Sequence, residues 1–311
     1  MKNTKNFFSI IGVFSLCFLI LSWINGGSES TNNNGKSNSG NKEGTVYLPQ
    51  VVKAPRISKN FQFAGEKIPI NVDTKERLER ELTVNSYYHS NTVWALKMST
   101  RYFPMMERIL KENGIPDDFK YLAVAESTLL NATSPAGAKG IWQFMPATAR
   151  ELGLEVTTEI DQRYDVEKAT KAACVYLKRL YNSDGSWLNA AAAYNVGPGK
   201  LKSVMNAQGE SSYFDMNLNE ETSRYVFRLM ALKEIISDPQ AFGFYMEDED
   251  FSKPLKIKKQ VKVDATVNSW ADFAHQHGVT YRLLKYANPW LINEKLTVKD
   301  KTYTVNIPEL Q

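Results

Sequence analysis

The rhythm of polar and apolar positions divides this chain into unlike stretches. Residues 7–24, FFSIIGVFSLCFLILSWI, carry no charge and follow Lys2 and Lys5. Such a run is a secretory core segment or a membrane anchor, and it is just long enough to span a bilayer. No small-x-small cleavage site follows it clearly, which favours an anchor. Residues 26–43 are Gly, Ser and Asn with almost nothing apolar, the composition of a flexible tether. Residues 46–70 are apolar and contain proline, as in extended chain laid on a domain surface. From about residue 74 apolar residues recur at spacings of three and four, so residues 74–88 and 92–114 read as amphipathic helices. Gly114 and Pro116 punctuate, and a new helix starts at 117–127 with Asp117 or Asp118 as N-cap. Pro146 suits the first position of a further helix. Asp165 caps the Ala-rich helix that follows it, and residues 186–195 make a short helix ended by Gly197, Pro198 and Gly199. Residues 219–238 are again amphipathic.

The tail changes period. Residues 259–265 alternate, two short helical patterns follow at 267–278 and 279–290, and residues 301–308 alternate again. This is a small strand–helix–helix–strand module. The resulting plan is a signal peptide or anchor at 1–25 and a linker at 26–60. A mainly helical domain follows at 61–250, with its core at about 104–240, and a small α+β module at 258–311.

Composition narrows the chemistry. The chain has 311 residues, 43% of them hydrophobic, and a net charge of +4. No dense basic block suggests nucleic acid; KPLKIKKQVKV (253–263) alternates like a strand with a solvated face. Cys17 and Cys174 cannot make a useful disulfide if Cys17 lies in a membrane or is removed with the leader, and Cys174 lies on an apolar helical face as a buried small hydrophobe. His89, His275 and His277 form no ligand-like cluster, and no glycine-rich phosphate loop is present, so no metal or cofactor is expected. Oligomeric state is not legible.

Three stretches carry candidate chemistry. In YLAVAESTLL (121–130) a run of apolar residues leads straight into Glu126. A carboxyl in apolar surroundings holds its proton toward neutral pH and can serve as a general acid. The alternative is a helix-end glutamate paired with Lys or Arg. In SPAGAKGIWQFMPATA (134–149) small residues and Gly140 permit tight backbone, and Trp142, Gln143, Phe144 and Met145 offer stacking surface, an amide and a soft contact. Trp142 and Phe144 are as readily core. In AAAAYNVGPG (190–199), Tyr194 and Asn195 end a helix before a Gly-Pro-Gly break.

Together these stretches resemble the lytic transglycosylases with a lysozyme-like catalytic domain. That family has a Glu-Ser at a helix end, a Gly-x-x-Gln-x-Met-Pro-x-Thr-Ala segment, an Ala-Ala-Tyr-Asn-x-Gly segment and a Glu-Thr-x-x-Tyr-Val segment. Here they stand as Glu126-Ser127, GIWQFMPATA (140–149), AAYNVGPG (192–199) and ETSRYV (221–226). The flanking sequence brings the likeness closest to membrane-bound members. The loop STLLNATS lacks the usual proline, which implies an altered loop. The tail resembles LysM, a βααβ module that binds GlcNAc-containing chains; DATV (264–267) replaces the usual Gly-Asp-Thr-Leu, so a packing module of the same shape is the other reading.

The resemblance implies non-hydrolytic cleavage of the MurNAc-β-1,4-GlcNAc bond of peptidoglycan strands, leaving 1,6-anhydro ends. Glu126 would act as acid and then base, without a second carboxylate, in departure from the usual glycosidase pair. Gly140, Gln143 and Met145 would serve sugar subsites. Tyr194 would hydrogen-bond Glu126 or the substrate, and Asn195 and Tyr225 would shape the cleft. Glu221 would contact sugar or cap its helix, while Ser127 and Ser134 would orient the acetamido group or cap turns. Location is the periplasm or cell envelope, with membrane contact through residues 7–24. A water-using muramidase and a non-catalytic wall-binding protein are the competing expectations.

Overall fold

A computed structural model describes residues 60–309 and, before them, residues 54, 55 and 57. The apolar segment 7–24 and the tether 26–43 lie outside the described residues. Within the stretch read as extended surface chain, a hairpin forms instead. Its strands are β1 (Gln62–Phe63) and β2 (Glu66–Lys67), and Phe61, Phe63 and Ile68 enter the core.

Helices α1 (Val72–Tyr87) and α2 (His89–Glu112) follow. Asn71 opens α1 through a capping box with Thr74, which satisfies amides that the first turn leaves free. Leu78 and Leu82 point inward from α1, and fully buried Glu81 shares their stripe. Asp117 and Asp118 do not cap the next helix as the sequence suggested. They open a 3-10 turn whose cap position is Pro116. Asp117 accepts from Lys120, while Asp118 Oδ2 accepts from the Ala64 amide at 2.7 Å and from Lys233 at 2.8 Å. Long-range donors therefore hold Asp118, and the Lys120 ammonium holds Asp117, in place of the expected cap.

Helix α3 (Lys120–Ser127) carries the apolar run into the centre of the domain. Pro146 starts α4 (Pro146–Glu151), and Asp165 caps α5 (Val166–Tyr181) through the Lys168 amide. In α6 (Trp187–Val196) the buried alanines 190–193 let α5 and α8 approach closely. The Gly-Pro-Gly break is also a beginning. Gly197 (φ +87°) ends α6, and Pro198 starts α7 (Pro198–Gln208), a helix the apolar pattern did not reveal. Helix α8 (Glu220–Ser237) packs on α1, α3 and α6.

The tail is a βααβ module: β3 (Ile257–Val263), α9 (Trp270–Gln276), α10 (Tyr281–Ala287) and β4 (Tyr303–Pro308). The strands are antiparallel, with Val261 opposite Val305 and Val263 opposite Tyr303. Most of β3 is exposed, Ile257 included, and the alternation shows in burial only at its end, where Val261 is half-buried and Val263 buried beside exposed Lys262. Trp270, Leu284, Trp290, Val305 and Ile307 form the module's core, and Ile160 of the helical domain completes it. Ile160 bridges to Leu291, the Asp161 amide donates to the Trp290 carbonyl at 2.9 Å, and the Ile292 amide donates to Glu159 at 3.1 Å. A buried isoleucine contributes about 1.5–3 kcal/mol. The segment 155–161 thus joins the two units as a strand would, by main-chain bonds and one inserted side chain.

Candidate active site

Glu126 sits in the last turn of α3. The next two residues, Thr128 (φ 53°) and Leu129 (φ 59°), are both left-handed, so the chain turns away sharply. Leu129 is buried and anchors that turn. Half-buried Glu126 has its carboxyl enclosed by protein, and burial pushes its pKa from 4.5 to about 7. A hydrogen bond from the Tyr225 hydroxyl and the charge of Arg228 work the other way, while the charge of Glu221 adds to the rise. A carboxyl so placed exchanges its proton near neutral pH, the requirement for an acid that later serves as a base.

The small-residue loop closes over the end of α3. Ser127 Oγ donates to the carbonyls of Ala123 (3.1 Å) and Ile141 (2.9 Å), tying the Glu126 turn to the loop. Ser134 Oγ accepts from the Ala138 amide at 3.0 Å and caps a turn. Gly140 (φ +78°) packs so tightly that a Cβ there would lie 1.9 Å from the Arg163 carbonyl oxygen. Gln143 is also left-handed (φ 49°) and donates Nε2 to the carbonyls of Gly140 (2.7 Å) and Ala132 (3.2 Å). Half-buried Met145 follows as the cap residue of α4. Trp142 and Phe144 take the core reading: Trp142 is fully buried and donates Nε1 to Thr170 Oγ1 at 3.0 Å.

One buried ion pair holds this loop. Arg163 Nη1 donates to the carbonyls of Gly137 and Phe144, both at 3.0 Å. Its Nη2 and Nε meet Asp161 at 2.7 and 2.8 Å, and both side chains are almost wholly enclosed. Asp161 is therefore an anchor, and it ends the segment that joins the C-terminal module.

From the other side come α6 and α8. The Tyr194 hydroxyl donates to the Trp142 carbonyl at 2.7 Å and not to Glu126. Glu126 receives its hydrogen bond from Tyr225, a residue read as shaping the cleft. Tyr225 is fully buried, so its ring is fixed by packing before the hydroxyl is aimed. Asn195 accepts from Thr222 Oγ1 at 2.9 Å and pins α6 to α8. Glu221 is held by Arg228 through Nη1 (2.8 Å) and Nη2 (3.3 Å), neither capping its helix nor standing free.

Sequence reasoning missed Arg163, Arg228 and Glu81. Arg228 could have been found, because it lies three residues after Tyr225 and shares its helical face. Glu81 had a signal as well, as a charge inside the Leu78–Leu82 stripe. Among the described residues no His, Cys, Asp and Glu cluster could hold a metal.

With this geometry in place, comparison with known proteins is informative. Residues 103–217 match the family Transglycosylase SLT domain, and residues 259–311 match the Soluble lytic transglycosylase C-terminal LysM-like domain. The chain is 31% identical over 255 residues to membrane-bound lytic murein transglycosylase D of Escherichia coli (strain K12), covering 79% of this chain and 55% of that protein. It is 32% identical over 145 residues to peptidoglycan transglycosylase gp16 of Escherichia phage T7, covering 45% of this chain and 11% of the phage protein. Among solved structures, the 70-kDa soluble lytic transglycosylase of Escherichia coli aligns over 59% of this chain and 36% of its own, at 19% identity and TM-score 0.38. The chain thus spans little more than half the length of the first of these relatives. The enclosed carboxyl and its loop fall within the first matched region, and the βααβ module fills the second: the chain carries a transglycosylase SLT domain followed by a LysM-like domain of the soluble lytic transglycosylase type.

Proposed function

We propose that this chain is a peptidoglycan lytic transglycosylase that cuts the MurNAc-β-1,4-GlcNAc bond without water. The observation that carries the reading is one enclosed carboxyl, Glu126, pushed up to about 7 inside an SLT domain. Protonated Glu126 gives its proton to the bridging oxygen as the glycosidic bond breaks. The substrate's own acetamido oxygen stabilises the sugar cation. Glu126, now a carboxylate, takes the proton of the C6 hydroxyl as that oxygen closes onto C1, giving the 1,6-anhydro end and restoring the acid. No water enters the balance.

A hydrolase with two carboxylates needs a second one free to act. Glu221 is the carboxylate whose charge reaches Glu126, and its oxygens are bonded to Arg228. That engagement favours the single-acid route. Tyr225 steadies the carboxylate half of the cycle, and Gln143 and Met145 are assigned to sugar subsites. Ser127, Ser134, Gly140, Tyr194 and Asn195 are assigned to the substrate cleft as well, on a frame tied by the Ser127–Ile141, Tyr194–Trp142 and Thr222–Asn195 hydrogen bonds. Glu221 acts through Arg228.

The C-terminal module is assigned to GlcNAc-containing strands. Residues 7–24 are assigned to export and anchoring in the cell envelope. Among the described residues no helix is long and apolar enough to cross a membrane. Digestion of purified peptidoglycan, with products weighed by mass spectrometry, tests the reaction. Anhydro-muropeptides that vanish in E126Q are expected. Products heavier by one water would assign a muramidase, and strand capture without turnover would assign a wall-binding protein.

A further inference from the structure

Glu81 lies on α1, ahead of the SLT match, yet its carboxylate is fully buried against α8. Its Oε1 accepts from Arg224 Nε at 2.5 Å, and its Oε2 stands 3.4 Å from Arg228 Nε. Arg228 turns its remaining nitrogens to Glu221. One guanidinium is thus bracketed by two carboxylates, at the site from which its charge reaches Glu126. A buried charge network adds little stability over apolar packing of the same shape, and position 81 lies in a leucine stripe that would accept such packing. Its consequence lies in the field it sets.

We infer that Glu81 is a positioning residue for the acid: it fixes and partly neutralises Arg228, and so sets the proton affinity of Glu126 from a helix outside the SLT domain. The inference rests on Glu126 being the general acid. The groups that bear on Glu126 are Tyr225, Arg228 and Glu221 from α8, with the Tyr194 hydroxyl from α6 close enough to feel its charge. Arg228 favours the ionised carboxyl and Glu221 the protonated one. Removing the Glu81 charge leaves the Arg228 charge less compensated, so Glu126 gives up its proton at lower pH. Removing the Arg228 charge has the opposite effect.

The test is a carbon-13 NMR titration of the full chain labelled at glutamate carboxyls, with the Glu126 signal assigned by its loss in E126Q. Glu126 should titrate lower in E81Q by on the order of half a pH unit, and higher in R228Q by at least as much. E81D, which keeps the charge, should return it to the wild-type value and guards against a folding artefact. A Glu126 titration unmoved or raised in E81Q overturns the inference, as does movement of E81Q and R228Q in the same direction. The alkaline limb of kcat/KM on peptidoglycan should follow each titration. If the titrations move as stated and that limb does not, Glu126 is not the acid, while the tuning by Glu81 stands.

Discussion

Replacing the acid should stabilise the protein, and by an amount that grows with pH. Glu126→Gln keeps the shape of the side chain and an oxygen that accepts from Tyr225. It removes the charge and turns the other oxygen into an amide nitrogen, a change that does not vary with pH. In the folded chain the carboxyl is raised from 4.5 to about 7, so between these values the native state holds a proton that the unfolded state has lost. The native state binds more protons there, and stability falls as pH rises through this window. A rise of about 2.5 pH units, at about 1.36 kcal/mol each, amounts to roughly 3 kcal/mol. Below about pH 4.5 the wild-type acid is neutral in both states, and the variant gains nothing. Above about pH 7.5 the full difference is present. Urea unfolding of both proteins at pH 4.5, 6 and 8.5 measures this directly. E126Q should match wild type at the first pH and exceed it by about 2–3 kcal/mol at the last. A pH-independent difference, or a loss at pH 8.5, would show that Glu126 is solvated or paired, and the burial argument would fall with it.

Other consequences can be checked separately. Tyr225→Phe removes a hydrogen bond that favours the carboxylate, worth about 1.5–3 kcal/mol for a charged acceptor. The alkaline limb of the pH–rate profile should therefore rise by about one to two units; a fall would assign Tyr225 to the protonated form. Gly140→Ala drives a Cβ to 1.9 Å from the Arg163 carbonyl at a left-handed position, and should lower stability by at least about 2 kcal/mol in urea unfolding. The Cys174 thiol is buried and pushed up to about 12, so iodoacetamide at pH 8 should leave it unmodified in the native protein and alkylate it fully in urea, as read by peptide mass mapping.

These predictions draw on both local and distant information. Pro146 at a helix start, Asp165 as a cap and the strand alternation of the tail were legible because each depends on neighbours within a turn or a hairpin. Glu126 stood out because its apolar approach is written in consecutive residues. Helix α7 was not legible, since its exposed face leaves little apolar periodicity and a Gly-Pro-Gly run reads as a stop. Asp118 looked like a cap by spacing, but a hairpin more than fifty residues earlier supplies its donor. Tyr194 and Tyr225 both end in a hydroxyl, and only packing decides which of them faces the acid.

The sequence by itself determined the helical domain, the βααβ tail and the carboxyl to examine, because periodicity, capping and apolar runs act over short spans of chain. The tertiary structure decided who partners each buried charge: Asp161 with Arg163, Arg228 between Glu81 and Glu221, and Tyr225 on Glu126. It also decided that Ile160 completes the core of the C-terminal module. In solution a charge far along the chain is screened and interchangeable with any other of its sign. Once folding brings such groups together away from water, distances of a few ångströms set which pair forms and how tightly Glu126 holds its proton.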